Sequence, residues 1–171
     1  MKRSLSIAAA ALLVSVAVAA EKAPSQPDEA AVDRARKTVR MLDDVYKNAV
    51  VLITEKYVHD EDDFAAGSAA VALFEAVSQK GHHKVELLDA TGEPYDEENT
   101  ASDDFEKEGI KQLNDGKDYF ERVEITDGKP VLRAVTALPV VLQKCTMCHE
   151  NYKSVKEGHP IGALGYSIPI E

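Results

Sequence analysis

Tyr119–Ala137, YFERVEITDGKPVLRAVTA, is the stretch whose reading decides the fold. Tyr119–Thr126 and Val131–Ala137 are runs of β-branched and aromatic residues, and they flank Asp127-Gly128-Lys129. An Asp-Gly pair between two such runs supplies the positive-φ residues that a tight hairpin needs. The segment predicts two neighbouring antiparallel strands. Upstream, Ser102-Asp103-Asp104 places a cap residue and two acids at the start of a helix running to about Asn114, before Gly116. Further back, His83–Ala90 alternates like a strand and stops at the turn sequence Thr91-Gly92-Glu93-Pro94. A helix over roughly Asp62–Gln79 precedes it, ended by Gly81. From Glu29 to about Tyr57 there is neither Gly nor Pro. Apolar residues recur there at helical spacing, at Val32, Ala35, Val39, Leu42, Val45, Ala49, Leu52 and Ile53. Downstream, Ala163–Ile170 reads as a last strand. The expected architecture is α+β: an antiparallel sheet of about four strands, flanked by a long N-terminal helix and shorter helices.

A chain of 171 residues is enough for one domain with a modest core. Residues 1–20 pair Lys2 and Arg3 with an apolar stretch ending in small residues, the pattern of a secretory signal peptide. Cleavage near Ala20 leaves a polar linker over 21–28 and a domain over 29–171. It removes two positive charges and no acid, taking the formal net charge from −10 to −12. The expected location is therefore exported and periplasmic. No later segment would span a bilayer, since the most apolar, around Val131–Leu142, holds Arg133 and Pro139. So acidic a domain excludes nucleic acid as a partner and suits a basic redox or signalling protein.

Only two cysteines occur, three positions apart, in Cys145-Thr146-Met147-Cys148-His149. This is C-x-x-C-H. Two thiols at that spacing reach the two vinyl groups on one edge of a haem and form thioethers, and the next residue turns its imidazole to the iron. The expected cofactor is one covalently attached haem c per chain, held by Cys145 and Cys148, with His149 as the proximal ligand. Three rivals share the pattern. A thioredoxin-like dithiol, making the chain a thiol-disulfide oxidoreductase, needs a βαβ context. A structural zinc site needs four ligands, and the only further close pair is His82-His83. A disulfide between neighbours is the third.

Around the motif the chain resembles a family of exported single-haem proteins with a PAS-like fold, also found as sensor regions of histidine kinases. The likeness runs from Val32 to Glu171. It is carried by Val50–Val58 (VVLITEKYV), by Leu88–Glu106 (LDATGEPYDEENTASDDFE), by Leu132–His149 (LRAVTALPVVLQKCTMCH) and by Ile161–Ile170 (IGALGYSIPI). The resemblance implies a haem between sheet and helices, and a sensing or electron-transfer role rather than substrate turnover. Some relatives place a cysteine on the far side of the iron, and this chain has no third Cys.

For that sixth position the sequence offers Met41, on the long helix, ahead of His82, His83, His59 and His159; water or an open site is the remaining option. A filled position favours electron transfer and an open one gas binding. Tyr95, Asn99 and Glu106 match the family's central turn and are expected to fix loop geometry. Asp103 and Asp104 read as helix-start charges. Arg122 and Arg133 stand on adjoining strands, as surface ion pairs or as partners of haem propionates.

Overall fold

A computed structural model describes residues 27–59, 65–140, 145–156 and 158–171. The expected signal peptide, most of the linker and the start of the expected second helix lie outside them. Helix α1 spans Glu29–Tyr57, as its uninterrupted periodicity predicts. Asp28, read from sequence as the end of the linker, is its N-cap and accepts a hydrogen bond from the Ala30 amide at 2.7 Å. Helix α2 is Ala66–Ser78 and strand β1 is Lys84–Asp89. Helix α3, Asp104–Asn114, opens on a reciprocal capping box between Asp103 and Glu106.

Strands β2, Tyr119–Thr126, and β3, Lys129–Pro139, form the expected hairpin. Asp127 and Gly128 both take positive φ, 52° and 74°, in its two-residue turn. A one-turn helix α4, Cys145–Cys148, and a 3-10 turn, Glu150–Ser154, lead to β4, Pro160–Pro169. The sheet is antiparallel throughout, in the order β1-β4-β3-β2. The α+β, PAS-like arrangement read from sequence is the one found.

The two faces of the sheet are covered differently. Helices α1 and α2 pack on one face, where Val32, Val39, Tyr46 and Phe74 meet Val85, Leu132, Leu164 and Tyr166. Helix α3 lies on the other, with Phe105 and Leu113 against Leu88, Val135 and Ala163. Alternation along β3 divides its side chains between these layers. Gly109 marks the closest approach of α3: a Cβ there would stand 2.5 Å from the Val135 Cγ2. The motif occupies the connection between the two central strands, at the end of the sheet where Asp89 and Leu138 both pair with Gly162.

Candidate functional site

Cys145 and Cys148 open and close the one-turn helix α4, three positions apart. Cys145 is half-buried and in no disulfide. His149 follows the helix in a non-helical conformation, φ −124° and ψ 87°, and caps the 3-10 turn behind it. Asn151 Nδ2 donates to the Glu93 carbonyl at 3.4 Å, tying this turn to the loop that follows β1.

Two tyrosines contact the His149 ring. Tyr152 stacks on it with centroids 4.5 Å apart and planes 20° apart. Tyr95 meets it at 5.3 Å and 83°, edge against face. Burial lowers the imidazole pKa below its usual value and raises that of the Tyr152 phenol, helped for Tyr152 by Asp89 and Cys145. Burial thus favours the neutral imidazole, the form that binds a metal. No hydrogen bond from the described residues engages either ring nitrogen. The donor types fit a c-type haem: two cysteines three positions apart on one helical turn, then an imidazole whose ring nitrogens take no hydrogen bond from the described residues. Among the described residues no three His, Cys, Asp or Glu side chains converge to hold a bare metal ion.

The other sequence candidates lie elsewhere. Met41 is on the outward face of α1, 60% exposed, opposite the stripe that packs on the sheet, so its placement lends no support to a ligand role. His83 does turn inward, but at the start of β1, where its Nε2 lies 2.7 Å from the Tyr46 hydroxyl. The motif is at the other end of that strand, about 17 Å away at ~3.3 Å per residue. His59 and His159 are exposed.

Arg133 is largely buried, its side chain 13% exposed, and its Nε meets no hydrogen-bond partner among the described residues. Its guanidinium holds Asp103 and lies 2.8 Å from the buried Glu106, while its plane covers the Phe105 ring at 4.4 Å. Arg122 lies over Phe105 and Phe120 and reaches Glu124. Glu106 accepts from the Ser102 amide and hydroxyl and from the Asp103 amide, fixing the central turn as expected. The Tyr95 contact with His149 goes beyond the loop role read from sequence, and Tyr152 carried no sequence signal except its place three residues after the histidine.

Fold and motif together define a PAS-like α+β domain with a C-x-x-C-H segment looped across one end of its sheet. The chain belongs to the Tll0287-like family, whose profile matches residues 24–168. Its structure is similar to the crystal structure of the cyanobacterial heme-protein Tll0287, with a TM-score of 0.55 at 12% identity, covering 83% of this chain and 96% of that one. Among curated proteins no relative matches. No helix among the described residues is long and apolar enough to cross a membrane.

Proposed function

We propose that this chain is an exported c-type haem protein that transfers electrons or senses redox state or a diatomic gas. Cys145 and Cys148 hold one haem by thioether bonds and His149 is the proximal iron ligand. The observation that carries this reading is the half-buried His149, its ring without a hydrogen bond from the described residues, directly after a helical turn bearing two cysteines. Membership of the Tll0287-like family and similarity to a solved heme-protein support it. When bound, haem supplies a one-electron couple and, where its sixth position is open, a site for a diatomic ligand. The protein's own residues orient the imidazole, favour its neutral form and tie the turn that follows it to the loop after β1. The thiol-oxidoreductase alternative draws no support from an all-antiparallel sheet, which has no parallel βαβ unit among the described residues.

The test is an optical spectrum of protein made alongside c-haem maturation, recorded oxidised, reduced and with CO. A Soret band that persists after denaturation is expected. Rapid CO binding assigns an open site and a sensing role; an unreactive low-spin spectrum assigns a protein ligand and electron transfer. Protein without a Soret band, and with two titratable thiols, contradicts the proposal.

A further inference from the structure

We infer that Tyr95 and Tyr152 are positioning residues that fix the plane of the His149 imidazole and bias the bound iron toward its oxidised state. This rests on the haem reading above.

An imidazole turns broadly about its Cβ–Cγ bond unless something holds it. Haem and metal proteins commonly hold it by a hydrogen bond to the nitrogen that faces away from the metal. The described residues offer His149 none. They offer two aromatic rings instead, one nearly parallel and one nearly perpendicular to it, and such contacts restrict the plane the imidazole can take.

Both rings are carried by segments fixed to the site. The Tyr152 amide donates to the His149 carbonyl at 3.1 Å, closing the turn that brings the phenol back over the imidazole. The Tyr95 loop is joined to the same turn through Asn151 and Glu93. Tyr95 is 86% exposed, so burial gives this large ring little reason to lie where it does. Its ring contact is with His149.

The electronic consequence follows from the stack. An imidazole on ferric iron carries more positive charge than one on ferrous iron. The face of a phenol ring is negative and stabilises the more positive partner. The Tyr152 face therefore favours the oxidised form.

The experiment uses haem-loaded full-length protein and its Tyr152→Leu, Tyr152→Phe and Tyr95→Leu variants, in redox titration and low-temperature EPR. Tyr152→Leu should lower the oxidised-to-reduced ratio at a fixed potential by roughly two- to tenfold, the worth of one aromatic contact. Tyr152→Phe keeps the ring face and should stay within about twofold of wild type. Tyr95→Leu should move or broaden the ferric g values, because the imidazole plane is released. Its exposure makes it the variant that folds even if Tyr152→Leu does not. Unchanged g values in Tyr95→Leu, or an unchanged midpoint in Tyr152→Leu, overturn the inference while leaving the haem reading intact. A wild type that takes up no haem overturns both.

Discussion

Replacing Arg133 with Met separates a structural from a cofactor-binding role for this arginine. Its side chain is 13% exposed and pairs with Glu106, whose side chain is 6% exposed. Breaking a buried ion pair by deleting one partner costs about 3–5 kcal/mol, because the other charge stays buried. Glu106 keeps three hydrogen bonds from Ser102 and Asp103 at the start of α3, so the lower end, about 3 kcal/mol, applies. For a domain of about 150 residues this lowers Tm by roughly 10 °C. The assay is thermal unfolding followed by circular dichroism at pH 7. Adding Glu106→Gln removes the stranded charge and should restore about half of the loss.

The pH dependence has a defined sign. Burial raises the Asp103 pKa, but the amides of Glu106 and Phe105 and the Arg133 guanidinium outweigh it, and the net shift is downward. A depressed folded pKa contributes stability that is present above the unfolded value near 3.8 and lost as pH falls through the folded one. Wild type should therefore lose part of its advantage over Arg133→Met below pH 4. Haem content should be equal in both proteins. A Tm change under about 3 °C, or a double variant less stable than the single one, would refute the reasoning.

Gly109→Ala sets about 1 kcal/mol of helix propensity against overpacking of about 1–3 kcal/mol on the fully buried Val135, for a net loss near 1 kcal/mol. A higher Tm in that variant would contradict the packing of α3. His83 titrates below its usual range because of burial and of His82, so stability should fall as pH drops below about 6.5 toward its folded pKa. His83→Gln should flatten that slope in urea unfolding, and an equal slope in both proteins counts against the assignment. His149→Ala should retain covalent haem through the two thioethers while its spectrum loses the features of axial imidazole; an unaltered spectrum would place the ligand elsewhere.

Much of the fold is legible locally. The hairpin is written in Asp127-Gly128, α1 in an unbroken helical period, and α3 in Asp103 and Glu106. Strand ends are less legible, because proline reads as a breaker. Strand β3 begins at Lys129, ahead of the expected Val131, since Pro130 lacks an amide but its carbonyl accepts the Ile170 amide at 3.0 Å. Likewise β4 starts at Pro160, not Ala163. At the site, Cys145, Cys148 and His149 lie within five consecutive positions and could be found by pattern. Tyr95 reaches His149 across 54 residues of chain, and no periodicity records such a contact. Nor does any local signal tell that Arg133 on β3 is committed to α3 rather than to solvent or a ligand.

The most direct measurement of the central claim is the intact mass of the denatured protein after expression with c-haem maturation, compared with a Cys145→Ser/Cys148→Ser variant. The account predicts a wild-type mass raised by one haem and a variant that keeps none. A wild type carrying no added mass, or a variant that holds the haem as firmly, would contradict it.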